Sequence, residues 1–222
     1  MKIVAILGSP HGQKGATGSV LAEMLKGAEA AGAVAATLCL TQYEVRPCCA
    51  CDHCHKTGAC VIKDDYAVVR TALLNADGII LASPNYIFSV TAQLKAVLDR
   101  CCGPLHLSAW RDKHAAAVVT GGGDSREVEQ YLLRFLNCMG CWTVGGVGAT
   151  AQQLAQPAAR GEIMSAAAEM GRRLVHAVAA RETFVEQAAP REAFFQRMRQ
   201  LVQFRKENWP FEYEYWKSRG WL

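Results

Sequence analysis

Lys2-Ile3-Val4-Ala5-Ile6-Leu7-Gly8-Ser9-Pro10-His11-Gly12-Gln13-Lys14-Gly15-Ala16-Thr17-Gly18-Ser19 opens as an apolar, β-branched run, breaks at a glycine and continues as a polar loop. Val20, Leu21, Met24, Leu25 and Ala28 then recur at helical spacing. The order is strand, loop, helix. The loop holds neither G-x-x-x-x-G-K-[ST] nor G-x-G-x-x-G. Its resources are the hydroxyls of Ser9, Thr17 and Ser19 and the free N–H groups of a helix N-terminus, which together suit a terminal phosphate. A plain βα turn with a Thr or Ser N-cap uses the same residues, and the loop alone does not separate the two. The second strand, Ala33 to Leu40, ends in Thr37-Leu38-Cys39-Leu40. It offers no Asp or Glu for ribose hydroxyls, so a mononucleotide fits better than a dinucleotide.

Working outward, Gly78–Ala82, Ala115–Val119 and Trp142–Val147 read as three more strands. Helical patterns separate them: Tyr66, Val69, Leu73 and Leu74; Val90, Leu94, Val97 and Leu98; Val128, Leu132, Phe135, Leu136 and Met139. Ile163, Ala167, Met170, Leu174 and Val178 mark a further helix after the fifth strand. Asp64 and Asp65 stand in the first turn of the helix that begins near Tyr66, where the helix dipole suffices to explain them. Strands apolar on both faces, alternating with helices, indicate an α/β fold with a parallel sheet covered on both sides. Ligands of such sheets sit at the carboxyl ends of the strands. Three loops rich in Gly, Ser, Thr or Asn end there: 8–18, 83–89 and 120–126.

The 222 residues, 51% hydrophobic and 20% charged, suffice for one large domain with a core plus an extension. A net charge of +4 calls for neither nucleic acid nor an acidic membrane. Met1 to Gly8 is too short for a signal-peptide core, and no apolar run reaches the roughly 18 residues of a membrane span. A cytoplasmic, reducing compartment is therefore expected. There, ten cysteines suggest metal or redox chemistry before disulfides.

Five of the ten lie in Cys48-Cys49-Ala50-Cys51-Asp52-His53-Cys54-His55-Lys56-Thr57-Gly58-Ala59-Cys60, within a connection of about residues 41 to 63. A connection that long demands a functional or stapling reason. Cys48, Cys51, Cys54 and Cys60 follow C-x2-C-x2-C-x5-C. The two short gaps let three sulfurs converge from one turn, and Gly58 permits the reversal that returns the fourth. Four thiolates suit an iron–sulfur cubane, but also tetrahedral zinc, and a metal-free loop is a third reading. His53 and His55 neighbour ligands and are expected to face solvent; His11, His106, His114 and His176 are dispersed and form no evident set. Cys39 and the Cys138/Cys141 pair read as core, while Cys101 and Cys102 end a helix. Residues 190–222 carry nine of the eighteen aromatics, and Phe194, Met198, Leu201 and Val202 share a helical face. That segment reads either as a helix packed back on the domain or as a subunit contact, with the contact favoured.

These motifs resemble the flavodoxin-like NAD(P)H-dependent FMN reductase superfamily over residues 1 to about 180. Gly8-Ser9-Pro10 and Gly15-Ala16-Thr17 look like its phosphate loop, with Ala16 where Asn is usual; Ser83-Pro84-Asn85-Tyr86 looks like its second flavin loop; Lys95 and Asp99-Arg100 match the following helix. The cysteine spacing is similar to that of the superfamily's iron-sulfur flavoproteins, with Cys49 an extra thiol. The resemblance implies a five-stranded parallel sheet of order 2-1-3-4-5 and a flavin-binding domain over 1–181. Residues 41–63 would be an inserted cluster loop, and 182–222 a helical extension at an oligomer contact. It implies FMN lined by Ser9, Pro10, Gly15, Ala16, Thr17, Ser83, Pro84, Asn85 and Tyr86, with Thr120, Gly121, Gly122 and Gly123 along the ring edge. It also implies a [4Fe-4S] cluster on Cys48, Cys51, Cys54 and Cys60, and NAD(P)H as a reductant. The expected activity is FMN-dependent electron transfer with the cluster as relay, and no catalytic acid or base from the protein. A small redox protein or small-molecule acceptor is the expected partner, and a homodimer or homotetramer the expected assembly. Two rivals remain at this point: an NAD(P)H-dependent FMN or quinone reductase whose cysteine loop is a zinc or metal-free structural element, and a non-enzymatic redox sensor or scaffold.

Overall fold

A computed structural model describes residues 1–222. Five strands, β1 (Lys2–Leu7), β2 (Val34–Cys39), β3 (Gly78–Pro84), β4 (His114–Gly121) and β5 (Trp142–Thr150), form one parallel sheet in the order β2-β1-β3-β4-β5. Ten helices accompany them: α1 (Ala16–Ala30), α2 (His53–Thr57), α3 (Tyr66–Leu74), α4 (Ala92–Arg100), α5 (Cys102–His106), α6 (Arg126–Cys138), α7 (Ala151–Ala155), α8 (Pro157–Ala180), α9 (Val185–Phe204) and α10 (Pro210–Ser218). The expected fold and strand order are those observed.

The alternation of side chains along each strand divides the core in two. Val4, Ile6, Ile79 and Leu81 point to one face and join α3, α4 and α6 in a cluster of 24 buried residues. Ile3, Ala5, Leu7 and Ile80 point to the other and join α1 and α8 in a cluster of 17. Both faces of the sheet are thus apolar because both are covered. The fifth strand runs three residues past its expected end, with a bulge between Ala115 and Ala116 of its partner and Gly145 at φ +123°. The short α7 was not foreseen. It is set by a Thr150–Gln153 capping box, in which each side chain bonds the other's backbone. No helix is long and apolar enough to cross a membrane.

Residues 182–222 form α9 and α10. Met198, Val202 and Trp216 are buried together, with Phe195 stacked on Trp216 at 4.8 Å. Most of the tail's aromatic surface is therefore used within the chain, and Phe204 is the aromatic side chain it leaves most exposed.

The α1–α8 seam depends on glycine. A Cβ on Gly27 would stand 1.9 Å from the Ala168 carbonyl oxygen, and one on Gly171 would stand 1.8 Å from that of Met24. Backbone cannot retreat as a flexible side chain can. Gly27→Ala is expected to destabilise by about 1–3 kcal/mol, despite the roughly 1 kcal/mol that alanine gains in a helix. The urea midpoint should fall with the slope unchanged.

Candidate functional site

The carboxyl ends of β1, β3, β4 and β5 enclose a groove of about 210 Å³. Its walls are Ser9, Ala16, Thr17, Pro84, Asn85, Tyr86, Thr120, Gly121 and Gly122, with His11, Ala151 and Leu154. Of the expected flavin residues, four do not line it. Pro10 and Gly123 are exposed. Gly15 lies behind: a Cβ there would meet His11 Cβ at 2.8 Å and Ser9 Oγ at 3.2 Å. Ser83 is fully buried, and its hydroxyl accepts from the Thr91 N–H and donates to the Pro84 carbonyl. Its work is to shape the loop. His11, Ala151 and Leu154 were missed; the rule that ligands gather at strand carboxyl ends would have flagged the residue after β5.

The groove suits a phosphorylated flavin in three respects. No side chain caps the N-terminus of α1, whose first N–H groups lack helical acceptors. The Ser9 and Thr17 hydroxyls beside it are buried, and Thr17 Oγ1 lies 2.7 Å from Thr120 Oγ1. Asn85 joins the two upper loops: its N–H donates to the Thr120 carbonyl (2.7 Å) and Nδ2 to that of Asp124 (3.1 Å). That leaves Asn85 Oδ1 buried without a partner, an acceptor available to a ligand N–H. The volume is below the roughly 300–1,000 Å³ of most ligand pockets, so the groove covers only part of a mononucleotide. Beside it, Tyr86 and Ser89 exchange backbone hydrogen bonds across a two-residue turn. Ile87 and Phe88 occupy the turn at φ +48° and +60° with their side chains almost wholly exposed.

The cysteine loop is a closed structure. Its two ends are zipped together: the Glu44 N–H donates to Asp65 (2.8 Å), the Asp65 N–H to the Glu44 carbonyl (3.0 Å) and the Arg46 N–H to Asp64 (2.9 Å). Asp64 also takes a two-pronged contact from the Arg100 guanidinium, at 2.7 and 3.0 Å. Both side chains are about 98% or more buried. The expectation that a helix dipole accounts for Asp64 and Asp65 is thus incomplete, since their side chains close the neck of the loop. Burial opposes the Asp64 carboxylate, yet Arg100 and the N–H groups of Arg46 and Tyr66 outweigh it and hold the carboxyl below its usual range.

Within the neck, Ala50, Asp52 and Gly58 adopt left-handed backbone at φ +50°, +58° and +76°. These reversals wrap the chain around a cavity of about 260 Å³. Cys48, Cys51, Cys54 and Cys60 all line it, as do Cys49 and Cys102. No two are joined as a disulfide. Arg70 and Arg100 line it too, together with the carboxylates Asp52 and Asp99. The Arg100 Nε is buried with no partner, and Cys60 is among the groups acting on this guanidinium. The four cysteines of the spaced motif, with two guanidiniums and an unspent N–H in the same lining, fit an anionic iron–sulfur cluster. The Cys51 thiol is drawn down chiefly by the His53 N–H, whereas Cys49 is pushed up by its contact with Cys51. That favours Cys51 over Cys49 as the thiolate.

Behind the loop the structure corrects two expectations. His55 does not face solvent: it is 4% exposed. His106 is not dispersed: its ring stacks on His55 at 4.5 Å. Glu212 of α10, fully buried, lies between them, 2.5 Å from His55 Nδ1 and 3.1 Å from His106 Nδ1. The Nε2 atoms face Cys102 Sγ at 3.7 and 3.8 Å. Contacts with His106 and His55 draw the Cys102 thiol down to about 6. Burial opposes the charged imidazoles, but Cys102 and Glu212 outweigh it and push His106 up to about 9 and His55 higher still. His55, His106 and Glu212 offer ligand atoms within 4.8 Å of one another. Both Nδ1 atoms are already committed to the carboxylate, however, so the set is a hydrogen-bonded network and not an open metal site. Cys39 and Cys141 are core, as expected, while Cys138 is only half-buried.

One helix links the two sites. Thr91, the N-cap of α4, donates its hydroxyl to the Gly8 carbonyl (2.7 Å), and Arg100, its last residue, walls the cysteine cavity. Nine residues at 1.5 Å each separate these ends by roughly 13 Å.

Known proteins resemble the chain. The family model for NADPH-dependent FMN reductase matches residues 1–155. An iron-sulfur flavoprotein of Archaeoglobus fulgidus is 28% identical over 230 positions, covering the whole of both chains. A second from the same organism is 36% identical over 149 positions, 65% of this chain and 75% of the relative. Among solved structures, the NAD(P)H:quinone oxidoreductase from Methanothermobacter marburgensis superposes with a TM-score of 0.61 at 16% identity, covering 78% of this chain and 98% of its own. At that identity it speaks for the fold alone.

Asp64→Ala should cost about 3–5 kcal/mol, because it leaves the buried Arg100 without its counter-ion. The folded Asp64 carboxyl lies below its unfolded value near 4, so its contribution is complete above about pH 4 and fades as pH falls through the folded value. Urea unfolding followed against pH should show this acid-side loss in the wild type and a weaker one in the variant.

Proposed function

The chain belongs to the NADPH-dependent FMN reductase family, among its iron-sulfur flavoproteins, and we propose that it moves electrons between FMN in the strand-end groove and a [4Fe-4S] cluster in the cysteine cavity. When bound, FMN supplies two-electron or one-electron chemistry and the cluster passes single electrons. The protein's own part is to bind, orient and insulate. Ser9 and Thr17 hydroxyls, with the open N-terminus of α1, hold the terminal phosphate. Because Ala16 stands where the family has Asn, Thr17 and backbone N–H groups carry that contact. Asn85 Oδ1 accepts a hydrogen bond from the ligand, Tyr86 lies beside the ring, and Thr120, Gly121, Gly122 and Gly123 approach its edge. Pro10, Gly15, Ser83 and Pro84 set the loop shapes.

Cys48, Cys51, Cys54 and Cys60 are the cluster ligands in this reading, with Arg70 and Arg100 offsetting the cluster's negative charge. NAD(P)H is the reductant class, and a small redox protein or small-molecule acceptor takes the electrons. Residues 1–181 form the cofactor domain. Residues 182–222 form the extension, contributing to contact between copies in a homodimer or homotetramer, and the cytosol is the compartment. The single observation that carries the reading is the convergence of the four spaced cysteines on one cavity walled by two guanidiniums, one with an unspent N–H.

Anaerobic purification followed by a visible spectrum and counts of iron, sulfide and flavin tests it. About four irons and four sulfides with one FMN per chain are expected. Cys51→Ala should lose the iron and keep the FMN, whereas Thr17→Val should weaken FMN binding roughly tenfold or more, as loss of a buried charge-assisted hydrogen bond does, and keep the iron. Zinc, or no metal, would sink the cluster assignment.

A further inference from the structure

We propose that α10 is a clamp on the cysteine loop and that Glu212 is its positioning residue, acting through His55 and His106 to set where Cys54 and Cys60 stand. The inference rests on the reading of the cysteine cavity as a cluster site. It concerns a different part of the chain, 150 residues downstream of the loop, for which that reading needs no role.

Three contacts carry it. First, Glu212 is 0% exposed and accepts from both buried imidazoles. His55 follows Cys54 directly on α2, the helix that carries the third cysteine of the motif and leads toward the fourth. His106 ends α5, which begins at Cys102 on the cavity wall. One carboxylate therefore fixes the loop and the wall relative to each other. Second, the Trp209 ring covers the histidine pair, with centroids 4.5 Å from His55 and 5.1 Å from His106, and shields the network from water. Third, Phe211 occupies the space beside Gly58: a Cβ there would lie 2.3 Å from the ring. Gly58 is the left-handed reversal that returns the chain to Cys60. The clamp thus touches the loop at one residue past Cys54 and at two residues before Cys60.

A buried carboxylate without partners is strongly disfavoured, and here its partners are side chains of the loop and the wall. Holding ligands through a hydrogen-bonded shell is how proteins orient metal sites and slow their loss. Glu212 touches no electron carrier, so its role is positional. The Glu212 network also fixes both Nε2 atoms toward Cys102, so displacing the carboxylate disturbs the cavity wall as well as the loop.

The test uses the full-length protein, purified anaerobically, as wild type, Glu212→Gln and Phe211→Ala. Three properties are followed in the same samples: iron release to a ferrous chelator, the EPR spectrum of the dithionite-reduced protein, and flavin content. Glu212→Gln should release iron at least tenfold faster than wild type, with an altered EPR line shape and unchanged FMN. Phe211→Ala, at a partly exposed position, should shift both in the same direction to a smaller degree, and carries the test if the buried substitution does not fold. Wild-type iron release and an unchanged EPR spectrum in both variants would overturn the proposal. So would parallel loss of iron and FMN, which marks general destabilisation. Wild-type protein devoid of iron would sink the cluster reading itself, an outcome distinct from failure of the clamp alone.

Discussion

The buried pair between Asp64 and Arg100 is the interaction on which the cysteine loop depends. A carboxylate and a guanidinium, each almost wholly removed from water, meet at the neck of the loop in a two-pronged contact. Such a pair contributes little net stability over an apolar substitute, but breaking it is expensive. Its value is positional. Asp64 draws in the Arg46 and Tyr66 N–H groups, and Arg100 adds the Arg46 and Ile62 carbonyls. The Tyr66 hydroxyl donates to the Arg100 carbonyl. The neck is thereby tied to the start of α3 and the end of α4, the layer packed on the sheet.

From that anchor the two sites acquire a fixed relation. The parallel sheet brings the ends of β1, β3, β4 and β5 together and leaves the open N-terminus of α1 there. Thr91, the N-cap, ties the start of α4 to Gly8 after β1, and Arg100, its last residue, ties the other end to the cysteine neck. The helix is a rigid strut between the groove and the cavity. Its half-exposed pair Lys95–Asp99 adds a second residue of the same helix, Asp99, to the cavity lining. The C-terminal helices back the loop from behind, where Trp209 and Glu212 meet His55 and Phe211 meets Gly58.

Most of the fold was legible in the sequence because its signals are local. Apolar runs ending in Gly8, Ser83 and Thr120 mark strands whose carboxyl ends carry polar loops, and the helical stripes between them have one apolar face. Strand ends were less clear: β5 continues past Val147 through Gly148 to Thr150, a glycine that weakens a strand pattern without ending it. The cysteine spacing was readable for the same reason, since four ligands within thirteen residues must meet if the chain turns at Gly58. The histidine network was not readable. His55 and Glu212 are separated by 157 residues and His106 and Glu212 by 106. Nothing in the local pattern distinguishes Glu212 from a surface carboxylate on a short helix. Asp64 illustrates the converse, since a helix-start acid had a sufficient local explanation that concealed its longer-range partner.

The central claim is that the loop from Cys48 to Cys60 seats an iron–sulfur cubane. Mössbauer spectroscopy of anaerobically purified protein, grown on ⁵⁷Fe, addresses it directly. The account predicts a diamagnetic [4Fe-4S] quadrupole doublet that accounts for nearly all the iron, and its disappearance on replacing Cys60 with alanine. Mononuclear iron signals, or an absence of iron absorption from the intact protein, would contradict it.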